Sequence, residues 1–166
     1  MDDGQSDQSS PEASLSPNKP VLIGWKERLD FVAWHLHRVK VKIDTGARTS
    51  AIDALRYELF ENGQTGPFAR LFLSLDARDP QKISIVEAPL LRKIVVRNSG
   101  GFCEERPLIE TEIRLGPVQK RIRITVTRRH TMRFRVLLGR NGLADDFVVD
   151  PSKKYLLRRR LKNPEG

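Results

Sequence analysis

The sequence predicts an all-β barrel or sandwich, and two observations support this class. Several short segments alternate apolar and polar residues with period two, which is the pattern of half-buried strands. Turn signals rich in Gly and Pro separate these segments closely, as in barrels and sandwiches. The chain has 166 residues, of which 39% are hydrophobic, so one domain with one modest core is expected.

The predicted elements follow one another from an expected domain start near Val21-Leu22-Ile23-Gly24-Trp25. High strand propensity or alternation marks further strands at Val39–Ile43, Leu71–Leu75, Lys93–Val96, Pro107–Ile113, Ile122–Val126 and Val136–Leu138. The turn signals between them are Asn62-Gly63, Asp79-Pro80, Asn98-Ser99-Gly100-Gly101 and Gly116-Pro117. A short helix is expected near Asn141 to Asp146, just after Gly139.

Composition predicts one folded domain over 20–158 between two tails. Residues 1–19 are rich in Ser, Pro, Asp and Gln and have almost nothing to bury, so a disordered acidic tail is expected there. Residues 159–166 continue the basic run that starts at Arg158, and a solvated basic tail is expected.

Net charge indicates which classes of partner the chain could bind, and cysteine content indicates its cellular compartment. The net charge is +9, and because residues 1–19 hold four acids and one base, the remainder carries +12. Such an excess attracts polyanions such as RNA, the ribosome or an acidic polypeptide, and it is equally compatible with an ordinary solvated surface. Cys103 is the single cysteine. With no secretory signal and no apolar run of roughly 18 residues, these features predict a cytoplasmic protein with no membrane partner.

The tripeptide Asp44-Thr45-Gly46 is the strongest chemical signal. The alternating segment Val39–Ile43 delivers the Asp44 carboxylate into a tight turn, which glycine permits. The Thr45 hydroxyl can brace this turn. Two such carboxylates a few Å apart share one proton, so that one activates water while the other polarises a peptide carbonyl. The chain has one copy of the motif, so this chemistry requires a second chain.

The order of the motifs resembles the retropepsin family of aspartic proteases. Asp44-Thr45-Gly46-Ala47 resembles its catalytic loop, and Gly100-Gly101-Phe102 resembles the tip of its mobile flap. Pro107 to Gly116 is similar to the strand and turn after the flap. The segment from Val136 to Leu143 is similar to the apolar-apolar-Gly-Arg-Asn segment that crosses behind the catalytic loop.

A closer resemblance, from about Val21 to Leu157, is to a bacterial group labelled "ATP-dependent zinc protease" and associated with ATP-grasp ligases that modify a ribosomal protein. It is carried by Val41 to Ala51, Arg106 to Thr111, Arg129 to Phe134 and Leu137 to Arg140. The resemblance implies a retropepsin-like closed barrel with a flap hairpin, acting as a homodimeric aspartic peptidase on a peptide or protein. It implies catalytic residues Asp44, Thr45 and Gly46. It implies substrate-binding residues Ala47, Arg48, Gly100, Gly101, Phe102 and Arg140.

The residues favour the aspartic interpretation over the zinc label. His35 and His37 would share one face if both lay on a strand, but nothing in the sequence supplies a third metal ligand beside them or His130. No His-Glu-x-x-His and no phosphate-binding loop is present in the sequence. Neither a metal nor another cofactor is therefore expected.

One position departs from the family pattern. In many retropepsins the residue two beyond the glycine is acidic and pairs with the Arg of the second motif. Here that position is Arg48, so Arg140 needs another partner. Two nearby arginines would attract the carboxylate of an acidic substrate or a C-terminus. Alternatively, both are structural and pair with Asp53, Glu110 or Asp146.

Other acids and the cysteine are given no catalytic part. Asp53 is expected to be solvated, Asp145 and Asp146 to lie near the end of the short helix, and Cys103 to have no partner histidine. Two further interpretations remain open. The chain is a non-catalytic module that binds an acidic polypeptide, RNA or the ribosome, or it is a latent dimer whose acidic tail blocks the cleft.

Overall fold

The computed structural model describes residues 19–97, 100–129 and 133–160, and the prediction of an all-β, retropepsin-like fold is confirmed. The tails predicted at 1–19 and 159–166 lie almost wholly outside the described residues, as do Asn98, Ser99 and His130. The strands are β1 Val21–Gly24, β2 Lys26–Phe31, β3 Leu36–Ile43, β4 Ser50–Asp53, β5 Arg56–Asn62, β6 Gly66–Leu73, β7 Ser84–Arg97, β8 Cys103–Leu115, β9 Val118–Thr127, β10 Val136–Leu138 and β11 Phe147–Asp150. A 3₁₀ helix spans Val32–Trp34, and the α-helices are α1 Arg140–Leu143 and α2 Leu156–Arg160.

Six strands close into a barrel. The large sheet has the order β2-β3-β10-β4-β9-β8-β7-β6-β5, and β2 pairs with β8 as well as with β3. This second pairing joins β2, β3, β10, β4, β9 and β8 into a ring, which removes the free edges that an open sheet would expose. Beyond β8, strands β7, β6 and β5 extend the sheet as successive antiparallel hairpins.

The barrel interior is filled by one face of each strand, as the alternation predicts. The largest fully buried side chains include Phe31, Ile52, Ile109, Ile124 and Leu138. Strand β9 departs from simple alternation, because Thr125 and Thr127 are buried along with its apolar residues. Strand β4 pairs in parallel with this end of β9, and the two buried hydroxyls donate into it, Thr125 to the Ser50 carbonyl and Thr127 to the Asp53 carboxylate.

Outside the barrel, β1 and β11 form a separate parallel pair, with Val21 opposite Phe147 and Gly24 opposite Asp150. Within the described residues, the first strand begins at Val21. The predicted short helix is α1, which begins one residue earlier than expected and ends at Leu143. No helix in the described part of the chain has the length and apolar character needed to cross a bilayer.

Candidate active site

The Asp44 turn is built at the end of β3 and is anchored by β10. The backbone N–H of Asp44 donates to the Leu138 carbonyl at 2.9 Å. Its half-buried carboxylate accepts a hydrogen bond from the Gly46 N–H at 3.1 Å. A Cβ at Gly46 would lie 3.3 Å from that carboxylate oxygen. The turn therefore orients the carboxylate through its own backbone and leaves little room for a larger residue at 46.

Strand β10 passes between the two strands that flank the turn. It pairs in parallel with β3, Leu138 opposite Ile43, and antiparallel with β4, Leu137 opposite Ala51. The chain then continues beneath the loop after Asp44, where the Arg140 N–H donates to the Ala47 carbonyl at 2.8 Å. This arrangement places the second sequence motif directly against the first.

Hydrogen bonds between Asn141 and Ser50 stabilise this crossing. Neither residue was predicted from the sequence to belong to the site. The Asn141 Oδ1 accepts hydrogen bonds from the Ser50 N–H at 2.9 Å and from the Ser50 hydroxyl at 2.7 Å. Its Nδ2 donates to the Arg123 carbonyl at 2.7 Å, and the Gly139 N–H donates to Ser50 Oγ at 3.0 Å. The signal that could have revealed them is the amide directly after the Gly-Arg pair, since an Asn there can bond two strands at once.

Arg140 bonds to a backbone carbonyl, and among the described residues it forms no ion pair with an acid. Its Nη1 donates to the Thr45 carbonyl at 3.0 Å, which ties the Asp44-Thr45-Gly46 turn to α1. The acids offered as alternative partners are bonded elsewhere, Glu110 to Arg121 and Asp146 to Lys120. Within the described residues Arg48 has no ion pair either, and its side chain is exposed. The predicted pairing of both arginines with these acids is therefore not found there.

Asp53 is buried, so the expectation that it is solvated is wrong. Its side chain has no exposed surface and accepts a hydrogen bond from the Arg135 guanidinium at 2.7 Å. It also accepts from the Arg129 N–H at 2.8 Å and from the Thr127 hydroxyl at 3.2 Å. Burial follows from its position at the end of β4, where three donors from β9 and the segment after it converge. Asp53 thus fastens the entry to β10 and is a structural acid.

The predicted flap is a long hairpin formed by β7 and β8. The two strands pair from Leu90 opposite Ile109 to Arg97 opposite Cys103. At the tip Gly101 has φ +84°, a conformation that L side chains rarely adopt. Phe102 beside it is 74% exposed. The structure thus gathers Asp44, Thr45, Gly46, Ala47, Arg48 and Arg140 in one cluster and puts Gly100, Gly101 and Phe102 on a separate hairpin.

His35 and His37 do not lie on the same strand. His35 precedes β3 in a left-handed conformation, with φ 54°, and only His37 lies within the strand. His37 Nδ1 lies 3.7 Å from an Asp30 carboxylate oxygen. Within residues 19–97, 100–129 and 133–160, no three His, Cys, Asp or Glu side chains are grouped closely enough to hold a metal ion.

The comparisons with known proteins agree with this geometry. The family model "RimB-like: Retropepsin-like aspartic endopeptidase RimB" matches residues 22–160. Two curated relatives, from Shewanella halifaxensis (strain HAW-EB4) and Desulfotalea psychrophila (strain LSv54 / DSM 12343), are each named "Probable alpha-L-glutamate ligase". They are 31% and 30% identical over 143 and 147 residues, covering 86% and 87% of this chain. The chain spans 31% of the length of either relative.

A solved structure shows the same fold. The crystal structure of Lpg0085, a protein of unknown function (DUF785) from Legionella pneumophila subsp. pneumophila str. Philadelphia 1, superposes with a TM-score of 0.70. The superposition covers 84% of this chain and 99% of that one at 21% sequence identity. At this identity the likeness concerns the fold alone.

Proposed function

The chain belongs to the RimB-like family of retropepsin-like aspartic endopeptidases, and we propose from this premise that it hydrolyses peptide bonds as a homodimer. The observation that carries the proposal is the Asp44 turn. Its carboxylate is oriented by the Gly46 N–H, and the turn itself is bonded to Leu138 and Arg140. A carboxylate oriented by one backbone N–H, on a turn that is itself bonded to two other segments, is suited to a reaction that needs fixed geometry.

The proposed reaction uses Asp44 from each of two copies. One ionised carboxylate takes a proton from water, whose oxygen attacks the peptide carbonyl carbon. The other, protonated, donates its proton to the carbonyl oxygen. The tetrahedral intermediate then collapses: the first carboxyl gives the proton taken from water to the leaving nitrogen, the second takes a proton from a hydroxyl of the intermediate, and the C–N bond breaks. Thr45 and Gly46 hold the turn. The Gly100–Phe102 tip closes over the extended peptide, and its 74% exposed Phe102 gains cover when the flap closes.

An acidic peptide is the proposed substrate class. Arg48 and Arg140 are exposed next to the Asp44 loop, and neither forms an ion pair within the described residues. Both can therefore receive a substrate carboxylate. Relatives that contain a similar segment are named for α-L-glutamate ligation, which is consistent with glutamate-containing peptides as substrates.

Turnover of a peptide library from acid to neutral pH tests the catalytic proposal. We expect Asp44→Asn to abolish cleavage and the exposed-loop variant Asp79→Asn to retain it. A chelator should have no effect on the wild type. Cleavage that survives Asp44→Asn, or that the chelator abolishes, would contradict the aspartic mechanism.

Subunit mixing tests the requirement for two copies. When wild type and Asp44→Asn chains are equilibrated in equal amounts, a random distribution leaves about a quarter of the dimers with two intact turns. Activity per total protein should then fall to about a quarter of the wild-type value. A fall to one half would indicate that a single chain carries the reaction.

The substrate class is tested with matched peptides that differ only in Glu, Gln or Lys beside the cleaved bond. We expect preference for the Glu peptide, and Arg48→Glu should reverse it by raising KM for that peptide. If Arg48→Glu leaves the preference for the Glu peptide unchanged, Arg48 does not contribute to substrate specificity.

The second candidate is a module that keeps the fold and binds an acidic polypeptide, RNA or the ribosome without cleaving. The +12 charge outside residues 1–19 favours it. A binder would show salt-sensitive affinity that Asp44→Asn leaves unchanged, with no cleavage by either form. Removing residues 1–19 tests the related latent form, because loss of an inhibitory tail should raise turnover.

A further inference from the structure

A cavity toward the end of β3 that lies away from Asp44 has five Lys and Arg residues among the thirteen that line it. It has a volume of about 410 Å³ and lies between the β2–β3 hairpin and the loop that joins β6 to β7. Its basic lining residues are Arg28, Arg38, Lys40, Arg78 and Lys82. His35 and His37 also line it.

The positive charge in this cavity exceeds the negative charge that the described residues place beside it, which comes from Asp76 in the lining and from Asp30, 3.7 Å from His37 Nδ1. Among the described residues, none of the five Lys and Arg side chains takes part in an ion pair. Asp76 is the one acid in the lining, and its carboxylate accepts the Arg78 N–H at 2.9 Å. Like charges gathered in a concave surface repel one another, and the resulting field attracts anions.

The backbone is strained at the same place. His35 has φ 54° and Arg38 has φ 56°, two of the four described non-glycine residues with positive φ. A bulge in the β2–β3 pairing lies between Leu29 and Phe31, and the Asp30 carboxylate accepts the Arg38 N–H at 2.8 Å. Left-handed residues cost about 1–2 kcal/mol each, and such strain tends to persist where function uses the geometry.

We propose that this cavity binds a compact ligand with several phosphate groups, as a phosphoanhydride or phosphate ester. Five cations against two acids around a single cavity call for several negative charges within a small volume, and a di- or triphosphate supplies them. A carboxylate brings one charge per group. Arg and Lys together are the side chains that bind phosphate oxygens. The volume is within the range of small-ligand sites, about 300–1,000 Å³.

The proposed site in this cavity is separate from the Asp44 turn. Lys40 is the lining residue nearest to Asp44 along β3. The two are four residues apart, and a strand rises about 3.3 Å per residue, so roughly 13 Å separate their backbones. A ligand in this cavity cannot contact the peptide bond at Asp44. Binding there therefore serves as an anchor or an effector and does not depend on the proposed peptidase activity.

Calorimetric titration with inorganic tripolyphosphate tests the proposal on the full chain. We expect saturable binding that Arg78→Ala with Lys82→Ala weakens by on the order of a hundredfold, tenfold for each cation removed. The control, Arg92→Ala with Arg97→Ala, removes the same charge from exposed positions on β7 and should keep wild-type affinity. Asp44→Asn should bind as the wild type does, whether or not the chain proves to be a peptidase.

A footprint of lysine acylation gives a second readout that needs no variant. Tripolyphosphate should protect Lys40 and Lys82 and leave Lys93 on β7 as reactive as before. The proposal is overturned if both double variants weaken binding equally, if no lysine is protected, or if tripolyphosphate does not bind. Binding of a ten-nucleotide RNA or a ten-residue glutamate peptide in its place would also overturn it, in favour of a nucleic-acid or acidic-peptide surface.

Discussion

Gly139 occupies the tightest backbone crossing of the candidate active site, and an added methyl group there should disturb the Asp44 turn. A Cβ at this position would lie 2.8 Å from three backbone atoms, namely the Ala47 oxygen and the Thr49 carbon and oxygen. Ordinary contacts of a Cβ begin near 3.4 Å. Because all three atoms belong to the loop after Asp44, the overlap can be relieved only by moving that loop or β10.

The expected cost of Gly139→Ala is about 1–3 kcal/mol of unfolding free energy, the usual range for overpacking. Backbone conformation adds no penalty, because φ −87° and ψ −175° are extended values that alanine adopts. Relief requires a shift of about 0.6 Å, the difference between the two distances. Since a displacement of about 1 Å can cost a hundredfold in rate, turnover should fall by roughly ten- to a hundredfold.

Urea unfolding and peptide turnover, measured on the same preparations, check this expectation. Gly63→Ala is the matched control, because a Cβ there meets nothing within 4 Å. We expect the control to stay within about 0.5 kcal/mol of the wild type. If Gly139→Ala unfolds at the same urea concentration as Gly63→Ala and cleaves equally well, the crossing does not hold the turn.

Three further predictions concern stability. Asp53→Asn removes the charge that bonds Arg135 and should lower the unfolding free energy by about 2–4 kcal/mol in urea titrations. Ser152→Ala should raise the pKa of Asp150 in an NMR titration, because hydrogen bonds from the Ser152 hydroxyl and N–H hold that pKa below its usual value. Lys26→Met removes an ammonium that lies 5.2–5.6 Å from three aromatic ring centroids and should cost about 1 kcal/mol in thermal unfolding.

Each of these predictions has a control or a contradicting result. Asp76→Asn changes an exposed acid and should leave the urea midpoint unchanged, so an equal loss in both variants would refute the argument for Asp53. Because the pKa of Asp150 is lower in the folded than in the unfolded chain, its ionised carboxylate contributes folding stability above the pKa of the unfolded state. This stability is lost as pH falls through the pKa of the folded state. An unchanged pKa in Ser152→Ala would refute its assigned cause. Lys26→Arg should retain most of the stability that Lys26→Met loses.

Local patterns were enough to predict most strands and turns. Alternation marked β3 and β9, and high strand propensity marked β8. The hairpin turn at Gly116 takes a left-handed conformation that its glycine permits. Strand β10 has three residues, too few to show a period, and its place beside Asp44 came from the family resemblance.

The errors concern contacts between residues distant in sequence. Asp53 is bonded to Arg129 and Arg135, which are 76 and 82 residues away, and no local pattern reports such partners. Asn141 reaches Ser50 across 91 residues. His35 and His37 do not share a strand, because His35 lies before β3 in a left-handed conformation, although both line one cavity.

The passage of β10 between β3 and β4 also sets an order of events during biogenesis. Thr45 and Arg140 are 95 residues apart, so the turn remains without its main anchor until nearly the whole domain has left the ribosome. Such late, non-local closure is slow compared with hairpin formation. A nascent chain would thus emerge with an unassembled Asp44 turn. In pulse-labelled hydrogen exchange during refolding, the Asp44 amide should gain protection after the amides of the β5–β6 hairpin.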